Sequence, residues 1–512
     1  MIQQNSYDLL VVGGGVNGAG IARDAAGRGL SVLLCEQDDL ASHTSSASTK
    51  LIHGGLRYLE YREFGLVRKA LQERETLLRM APHIMRPLRF VMPHMPNLRP
   101  AWLIRTGLFL YDHLAKRELL PGSRGIDLRR HEAGAPLVAS IRRGFVYSDG
   151  WVDDARLVVL NALDAKERGA TVLTRTKLVS AQRSSDEWHA QLSRADSSIV
   201  HVRARAIANA AGPWVGDVLR GALGRGGQHR VRLVKGSHIV TPRLFSHDHA
   251  YIFQNPDRRI IFVIPYERDY SLIGTTDAEY RDDPATVAID GDEVRYLCDS
   301  VNRYFKQQIS PADVCWTYAG VRPLLDDEDT DNPAAVTRDY RLEMDADGAP
   351  LLSVFGGKIT TFRKLAEEAT DSLCQVLGQT TPAWTADSSL PGGDIAGARF
   401  VPFADAFAQQ YRWLPPALAL RYARAYGTRA ARVIGGAQSL AGLGAVVAPD
   451  LPDLYEAELR YLRDVEWATC AEDVLWRRSK LGLHVAGGSL ESVTGALNEW
   501  FAAAASATLA KH

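Results

Sequence analysis

The segment that most constrains the fold lies near the start of the chain, where a short apolar run passes directly into a glycine-rich turn. Residues 9–12 are all apolar, the glycines follow in the spacing Gly13-x-Gly15-x-x-Gly18, and the next residues are compatible with a helix to about position 28. A second strand is predicted over 31–34, and Glu36 stands just beyond it. This order of strand, glycine loop, helix, strand and acid is typical of a dinucleotide-binding βαβ unit.

Each part of this segment has a physical reason to bind a dinucleotide. Glycines allow a tight turn and a close approach of the backbone, and the helix N-terminus offers unpaired N–H groups to a pyrophosphate. Glu36 would accept a hydrogen bond from a ribose hydroxyl, which argues against the 2′-phosphate of NADP but does not separate NAD from FAD. The alternative interpretation is a tight turn that binds nothing.

A second loop favours FAD over NAD. Apolar residues 351–355 lead into Gly356-Gly357, and an amphipathic helical pattern begins near Thr360. NAD needs only one phosphate-binding loop, whereas FAD also carries a flavin whose reduced ring bears negative charge that a helix N-terminus would stabilise. Taken alone, this loop could instead be an ordinary turn between a strand and a helix.

Composition excludes several other classes of protein. The chain of 512 residues carries 60 Lys plus Arg and 60 Asp plus Glu, so it lacks the basic excess of a nucleic-acid-binding protein. Its five cysteines are widely spaced and form no CxxC pair, so we expect no metal site, no disulfide framework and a reducing compartment. The sequence predicts neither a signal peptide nor a membrane-spanning apolar run.

Beyond these loops, a series of motifs resembles one family of flavoenzymes. The motifs are VVGGGVNGAGIARDAAGRGLSVLLCEQDDLASHTSSASTKLIHGGLRYLE, MAPHI, RPAWLIRTGLFLYDHL, YSDGWVDDARL, ANAAGPWV, KGSHIV, FVIPYERDYSLIGTTDAEY, WTYAGVRPLLDD, TRDY and VFGGKITTFRKLAE. They cover about residues 7–375 in the order found in the FAD-dependent glycerol-3-phosphate dehydrogenases of the respiratory, quinone-reducing kind. YEAELRYLRDVEWA and DVLWRRSKLGL resemble that family's helical cap more weakly.

The resemblance implies an α/β fold, α+β overall, with a Rossmann-like FAD-binding domain of the glycine/D-amino-acid oxidase type. That domain would be interleaved with an antiparallel-sheet substrate domain and followed by a helical C-terminal domain. We expect residues 1–80, 150–230 and 350–390 in the FAD-binding domain, 81–149 and 231–349 in the substrate domain, and 400–512 in the helical cap. The alternation of apolar and polar residues over 259–277 also predicts antiparallel strands.

The chemistry implied by the resemblance is oxidation of a secondary alcohol beside a phosphate. A hydride would leave C2 of sn-glycerol 3-phosphate for flavin N5, and dihydroxyacetone phosphate would be released. Arginine suits phosphate because its planar guanidinium donates two parallel hydrogen bonds. The resemblance implies Arg57, Arg322 and Lys358 as active-site cations, with Tyr58 and Arg338 also around the substrate. Without it, each arginine would be interpreted as a surface residue.

His53 is the preferred general base, because imidazole has the unperturbed pKa nearest to neutral pH. The family's matching histidine lies beside the flavin, whereas a lone histidine is more often structural. Arg322 is the alternative group for orienting or deprotonating the alcohol, and His238 is a weaker candidate. His53 and Arg57 are four residues apart, but Gly54-Gly55 makes one continuous helix through them doubtful.

The resemblance also places small and hydroxyl-bearing residues along a noncovalent FAD. They are Gly13, Gly14, Gly15, Asn17, Gly18, Glu36, Thr44, Ser45, Ser46, Ser48, Lys50, Gly54, Gly55, Ala211, Gly212, Gly357, Lys358, Thr360 and Thr361. For the hydroxyl run the alternative is a solvated turn. Cys315 suggests a covalent thioether to the flavin, but the resemblance implies noncovalent binding, and we interpret Cys315 as a buried hydrophobe.

Residues 85–120 are the best candidate for membrane contact. Cations such as Arg105 and Lys116 stand among apolar and aromatic residues such as Trp102 and Phe109, and the pattern over about 101–114 fits a helix. Such a segment is typical of a helix lying in the lipid interface, and the alternative is a buried core helix. The resemblance further implies a ubiquinone-type quinone, a homodimer, and a peripheral, monotopic place on the cytoplasmic face of the cytoplasmic membrane.

Three other functions fit parts of the sequence. A glycerol-3-phosphate oxidase that passes electrons to oxygen would share the site motifs. An amine or amino-acid oxidase would share the fold, but several cations near a flavin favour a phosphate over a single carboxylate. A non-catalytic flavin-binding protein would leave the combination of His53, Arg57, Arg322 and Lys358 without a reason.

Overall fold

The computed structural model describes residues 5–95, 100–225, 231–257, 259–325, 339–485 and 489–509. Its strands are β1 Ser6–Val12, β2 Val32–Cys35, β3 Leu51–Ile52, β4 Met85–Pro93, β5 Arg124–Asp127, β6 Arg143–Val152, β7 Thr171–Leu173, β8 Thr176–Arg183, β9 Trp188–Arg194, β10 Ile199–Asn209, β11 Val231–Pro242, β12 Ala250–Gln254, β13 Ile260–Tyr266, β14 Tyr270–Gly274, β15 Ala278–Glu279, β16 Trp316–Leu325, β17 Arg341–Asp345 and β18 Leu351–Phe355. Its helices are α1 Val16–Gly27, α2 Phe64–Met80, α3 Ala101–His113, α4 Asp154–Glu167, α5 Val215–Asp217, α6 Gly291–Asn302, α7 Phe362–Leu377, α8 Phe400–Gln410, α9 Pro416–Tyr426, α10 Ala430–Ile434, α11 Glu456–Glu466 and α12 Leu490–Leu509.

The first sheet has eight strands and carries the glycine-rich loop. Its main order is β17-β18-β10-β1-β2-β7, with β8 and β9 added beside β10. The five strands from β18 to β7 run parallel, and β17 is antiparallel to β18. Residues 9–12 of β1 are buried because α1, α4 and α7 cover one face of the sheet and a second apolar cluster covers the other. The predicted α/β unit is therefore confirmed.

The second sheet has ten strands and is almost entirely antiparallel. Its main order is β15-β11-β14-β13-β12-β4-β6-β3, with β16 paired to β11 and β5 to β6. Among the strands that the structure describes, only β12 and β4 pair in parallel here. Successive residues face opposite sides: Val263 and Ile273 pack with α6, whereas Ile264 and Leu272 pack with α2 and α3. The antiparallel strands predicted over 259–277 are confirmed, because β13 and β14 pair antiparallel there.

The C-terminal helices α8 to α12 form a third apolar core, which confirms the predicted helical region. Buried charges fasten this core to the first sheet. Arg478 donates to Asp39 at 2.5 and 2.7 Å, and Arg156 of α4 pairs with Glu466 of α11. Separating these partners would leave uncompensated buried charges, so the contacts favour this arrangement of the helical core on the first sheet.

The structure can be compared with the predictions for helix 101–114, for the domain boundaries and for Cys315. The predicted helix over 101–114 is α3, and no helix in the described ranges combines the length and apolarity needed to cross a bilayer. β3 lies in the second sheet and β17 in the first, each across a predicted domain boundary. Cys315 is exposed, so its interpretation as a buried hydrophobe is wrong. It precedes β16 in a surface turn, where its thiol lies 3.7 Å from the carbonyl oxygen of Asp313.

Candidate functional site

One cavity of about 920 Å³ runs between the two sheets, and the glycine-rich loop, the stretch 41–61 and the turn after β18 all line it. The carboxyl ends of β1, β2, β10 and β18 lie at this cavity. Ligands of open parallel sheets bind at that edge, because the strand ends there expose backbone groups that no neighbouring strand occupies.

The first glycine loop leaves no room for side chains. Gly13 has a φ of +108°, and a Cβ there would stand 2.6 Å from the carbonyl oxygen of Ala210. A Cβ on Gly18 would stand 1.9 Å from the oxygen of Gly13, so α1 can approach the loop only with glycine at that position. At the start of α1, the Val16 N–H donates to Ser45 Oγ at 2.9 Å. The loop therefore presents backbone, not side chains, to the cavity.

Glu36 stands where β2 ends, at the wall of this cavity. Its carboxylate accepts the Gly14 N–H at 2.6 Å and the Asp38 N–H at 2.9 Å. Burial raises the pKa of Glu36, and these two backbone donors oppose that rise. The side chain is thus fixed against the loop with acceptor capacity left for a hydroxyl.

The second glycine turn closes against the first helix. Gly356 and Gly357 have φ values of +71° and +104°, and a Cβ on Gly357 would lie 2.9 Å from Asn17 Nδ2. The Asn17 side chain donates to the Gly356 carbonyl at 3.2 Å, while its Oδ1 is buried without a hydrogen-bond partner. The two glycine turns, more than 330 residues apart in sequence, thus meet at one cavity.

The segment 44–50 between β2 and β3 has hydroxyl side chains that face the cavity and a lysine that faces away from it. Thr44 Oγ1 donates to the Val321 carbonyl at 2.6 Å, and Thr44, Ser45 and Ser48 line the cavity. Lys50 points the other way, where its buried ammonium lies 2.8 Å from Asp154 Oδ1. Burial lowers the pKa of Lys50 although the Asp154 carboxylate opposes that shift. Lys50 therefore anchors the stretch to the start of α4.

His53 lines the cavity from an irregular segment after β3. Its N–H donates to Thr360 Oγ1 at 3.2 Å. The next N–H, of Gly54, donates to the Tyr111 hydroxyl at 2.8 Å, and that hydroxyl donates to Asp149 Oδ1 at 2.7 Å. The second glycine turn, α3 and β6 therefore all hold the backbone that carries His53. The 3-10 helix Leu56–Tyr61 carries Arg57, so His53 and Arg57 do not share a helix.

Four predicted substrate-binding side chains reach the same cavity. Arg57, Tyr58, Arg322 and Lys358 all line it, and the Lys358 ammonium lies 3.9 Å from the centre of the Tyr58 ring. Arg322 Nη1 donates to Asp277 Oδ1 at 2.5 Å, and its Nη2 donates to Thr275 Oγ1 at 3.2 Å. Arg338 lies outside the described residues.

His238, the weaker candidate base, is part of the wall behind the cavity. Its Nε2 lies 2.9 Å from Thr49 Oγ1, and its ring stacks on Tyr318 with centroids 4.7 Å apart. Burial, with smaller contributions from Arg322 and Lys50, holds the pKa of His238 well below its ordinary value. The neutral His238 ring therefore holds the Thr49 hydroxyl by a hydrogen bond.

The remaining predicted cofactor residues separate into two groups. Those that line the cavity are Gly13, Gly14, Gly15, Asn17, Glu36, Thr44, Ser45, Ser48, Gly55, Ala211, Gly212, Gly357, Lys358 and Thr360. Those among the described residues that stand behind its wall are Gly18, Ser46, Lys50, Gly54 and Thr361. The described ranges contain no cluster of three or more His, Cys, Asp or Glu side chains that could hold a metal ion.

Sequence reasoning missed three polar residues of this site. Asp277 and Thr275 hold the Arg322 guanidinium, and Asp149 lines the cavity beside Tyr111. Burial raises the pKa of Asp149, and the guanidinium of Arg74, 2.8 Å away, opposes the rise. Asp149 lies in YSDGW, inside β6, and Asp277 lies in GTTDAEY, between β14 and β15, so an acid beside glycine or threonine in these motifs was the available signal.

Comparison with known proteins identifies the two parts of the chain. Residues 8–363 match the model of the FAD dependent oxidoreductase family, and residues 383–501 match the C-terminal domain of alpha-glycerophosphate oxidase. A glycerol-3-phosphate dehydrogenase from Pseudomonas aeruginosa is 58% identical over 479 residues, which are 93% of this chain and 92% of that protein. A D-erythritol 1-phosphate dehydrogenase from Brucella abortus is 53% identical over 503 residues, 98% of this chain and 99% of that protein.

A solved structure gives the same result for the fold. The glycerol-3-phosphate dehydrogenase from Bacillus halodurans, complexed with FAD, superposes with a TM-score of 0.78 at 28% identity, over 98% of this chain and 90% of that chain. The predicted fold class is confirmed in full, since the mixed sheets and the helical C-terminal domain are both present.

The residues of the cavity fit FAD as the cofactor. Two side-chain-free turns, at Gly13 and at Gly356-Gly357, stand where backbone N–H groups can face a pyrophosphate and a flavin. Glu36 keeps acceptor capacity for a ribose hydroxyl, and the buried Asn17 Oδ1 has no partner of its own among the described residues. The predicted cofactor, FAD, is confirmed by the family match.

Proposed function

The chain belongs to the FAD dependent oxidoreductase family, and from that premise we propose that it oxidises sn-glycerol 3-phosphate to dihydroxyacetone phosphate. The observation that carries this proposal is that His53, Arg57, Arg322 and Lys358 line one cavity with both glycine turns. Three cations and an imidazole suit a phosphorylated alcohol, because a phosphate dianion needs cationic donors and the alcohol needs a base. FAD, when bound, supplies the acceptor of the hydride.

The proposed roles follow from how each side chain is held. Asp277 and Thr275 hold the Arg322 guanidinium in place, so Arg322 keeps one orientation toward the substrate. Arg57 and Lys358 provide the further positive charge for the phosphate, and Tyr58 supports Lys358 through its ring face. His53 takes the hydroxyl proton, with Arg322 as the alternative group for that step. The predicted cofactor contacts of Gly13, Glu36 and the hydroxyl run are part of the same proposal.

Anaerobic reduction tests the substrate directly. The purified, FAD-loaded protein is mixed with glycerol 3-phosphate under nitrogen, and the flavin absorbance is followed. Bleaching with release of dihydroxyacetone phosphate is the expected result, and an unchanged spectrum contradicts the proposal. Arg322→Lys is the informative variant, because it keeps the charge but loses the planar fork, and we expect a sharply raised KM.

D-erythritol 1-phosphate is the second candidate substrate. The observation that favours it is the Brucella abortus relative, which is 53% identical over 98% of this chain. Both compounds place a secondary alcohol near a phosphate, but the tetritol is one carbon longer and carries one more hydroxyl. Comparing kcat/KM for the two under identical conditions decides between them, and a ratio above about ten, which is about 1.4 kcal/mol in transition-state binding, names the substrate.

We further propose that the electrons pass to a ubiquinone-type quinone at a membrane. The support is α3, whose Trp102, Leu103, Phe109 and Leu110 are all exposed beside the cation Arg105. The protein would then be peripheral on the cytoplasmic face of the membrane, and a homodimer is the expected assembly. Flotation with anionic vesicles tests the membrane contact, light scattering tests the dimer, and reoxidation by a quinone compared with oxygen tests the acceptor.

A further inference from the structure

A β-bulge lies between β14 and β15 at the edge of the cavity. Gly274, at the end of β14, pairs with His238 of β11, and Ala278, at the start of β15, pairs with Lys235 of the same strand. The three residues 275–277 therefore stand opposite only two residues of β11. An extra residue of this kind bends a strand and re-aims its side chains, and such bulges are frequent beside active sites.

The bulge turns two side chains toward the cavity and one away from it. Thr275 and Asp277 line the cavity and accept hydrogen bonds from the Arg322 guanidinium, whereas Thr276 does not line the cavity and is only 2% exposed. The Thr275 hydroxyl, which accepts from Arg322, donates in turn to the Thr276 carbonyl oxygen at 3.0 Å. The position of Arg322 therefore depends on the conformation of the bulge.

The strand opposite the bulge has room for this guanidinium only because residue 236 is glycine. A Cβ on Gly236 would stand 2.4 Å from Arg322 Nη2 and 2.8 Å from Thr275 Oγ1. The guanidinium thus lies directly against the β11 backbone, and a glycine inside a strand often marks such a close approach. A shift of the bulge relative to β11 would therefore move Arg322.

On the side away from the cavity, one carboxylate holds the bulge against β11. Glu293 of α6 accepts the Thr276 hydroxyl at 2.7 Å and the Ser237 hydroxyl at 3.0 Å, both on Oε1. Thr276 Oγ1 also accepts the Ser237 N–H at 2.9 Å. Glu293 Oε2 pairs with the Lys235 ammonium at 2.8 Å, and the Glu293 side chain is only 11% exposed. The bulge, β11 and α6 therefore all meet at Glu293.

We propose, building on the proposed function, that Glu293 and Thr276 are positioning residues for substrate binding, because they hold the bulge in the conformation that fixes Arg322. Neither side chain lines the cavity, so neither contacts the substrate. Their effect reaches the substrate through Thr275 and Asp277, which hold the Arg322 guanidinium. Such support matters because a guanidinium that is free to rotate loses the orientation that a phosphorylated substrate requires.

Hydrogen exchange of the FAD-loaded, substrate-free protein tests whether Thr276 holds the bulge. The Ser237 amide is the direct reporter, because its acceptor is the Thr276 hydroxyl. We expect Thr276→Val, which loses that hydroxyl at nearly constant volume, to lose protection in peptides covering residues 233–238 and 272–279. Thr276→Ser keeps the hydroxyl and should keep the protection of wild type. Unchanged protection in Thr276→Val would overturn the proposal.

Steady-state kinetics with a water-soluble dye as electron acceptor tests the consequence for the substrate. For Glu293→Ala we expect KM for glycerol 3-phosphate to rise by on the order of ten-fold, while kcat changes by much less. Glu293→Gln keeps an acceptor oxygen and should recover most of the affinity. Asp292→Ala is the matched control, because Asp292 precedes Glu293 in α6 but is 90% exposed and pairs only with Arg295. Equal KM values for Glu293→Ala and wild type would refute the positioning role.

Further readouts separate an effect on Arg322 from a general loss of structure. FAD content and the rate at which the dye reoxidises dithionite-reduced flavin should match wild type in every variant. Glu293 also accepts the Asp290 N–H at the start of α6, so if Glu293→Ala loses FAD, Thr276→Val replaces it in the kinetic assay. In an Arg322→Lys background, Thr276→Val should raise KM far less than it does alone, and fully additive effects would contradict the proposal.

The two assays also distinguish this proposal from the proposed function. If glycerol 3-phosphate does not bleach the flavin of wild type, the proposed substrate is wrong. Hydrogen exchange then still decides whether Thr276 holds the bulge, since that measurement uses no substrate.

Discussion

Replacing Tyr111 by phenylalanine removes one buried hydroxyl on which the backbone beside His53 depends. That hydroxyl accepts the Gly54 N–H at 2.8 Å and donates to Asp149 Oδ1 at 2.7 Å, and Tyr111 is fully buried. The hydroxyl is buried away from water, so the Gly54 N–H loses this hydrogen bond at a cost of about 1–3 kcal/mol. Asp149 loses the Tyr111 hydroxyl as a donor but keeps the Arg74 guanidinium at 2.8 Å.

The expected total is a loss of about 2–4 kcal/mol in the apparent free energy of unfolding, measured by urea titration at a fixed excess of FAD. Hydrogen exchange followed by mass spectrometry should show the loss of protection concentrated in peptides covering residues 51–60. Tyr147→Phe is the control, because Tyr147 lies against Tyr111 but its hydroxyl makes no hydrogen bond to the described residues. If both variants lose the same stability, or if residues 51–60 keep their protection, the hydroxyl does not hold this segment.

Three further predictions concern other charged groups of the structure. Asp277→Ala frees the Arg322 guanidinium and should raise KM for the phosphorylated substrate by on the order of ten-fold, while Asp277→Asn, which can still accept a hydrogen bond, keeps most of the affinity; equal KM values would contradict this. Lys50→Met leaves the Asp154 carboxylate buried without its cation and should lower the free energy of unfolding by about 3–5 kcal/mol. A double variant that also carries Asp154→Leu should recover part of that loss. If it recovers none, the loss comes from packing and not from the unpaired charge. Burial lowers the pKa of His83 from 6.5 to about 3, so between these pH values the unfolded chain binds one more proton than the folded protein. The free energy of unfolding therefore falls by about 1.4 kcal/mol for each pH unit below 6.5. His83→Leu should remove this slope, and parallel plots of unfolding free energy against pH for the two proteins would refute the prediction.

The sequence predicted the structure well at positions where the backbone conformation or a close contact allows only one type of residue. The spacing at Gly13 and the pair Gly356-Gly357 predicted both turns, because only glycine permits those φ values and approaches of under 3 Å. The apolar run of β1 likewise predicted a buried parallel strand, since both of its faces are covered. Local chemistry of this kind can be read from neighbouring residues alone.

The side-chain contacts between distant segments could not be predicted in the same way. Lys50 stood in a hydroxyl-rich stretch next to the cofactor loop, but its ammonium turns away to Asp154, 104 residues later. The role of Asp277 depends on Arg322, and that of Tyr111 on Gly54, in each case through a fold that brings separate strands and helices together. Exposure of Cys315 was missed for the same reason, because its neighbours in sequence do not reveal that its turn faces outward.

The order of strands in the first sheet has a consequence for how the chain matures during synthesis. β1 pairs with β10, and β10 also pairs with β18. Val12 can therefore pair with β10 only after Asn209 has been made, and Ile207 can pair with β18 only after Leu351 has been made. When the first 325 residues have left the ribosome, every described strand of the second sheet has been made, and β9 already covers residues 199–204 of β10, yet residues 207–209 of β10 still lack their partner strand β18. An open strand edge is a template for wrong pairing, and long-range parallel pairing is slow. The nascent chain therefore needs protection until Phe355 has emerged, and fragments that stop before it should aggregate when they are expressed.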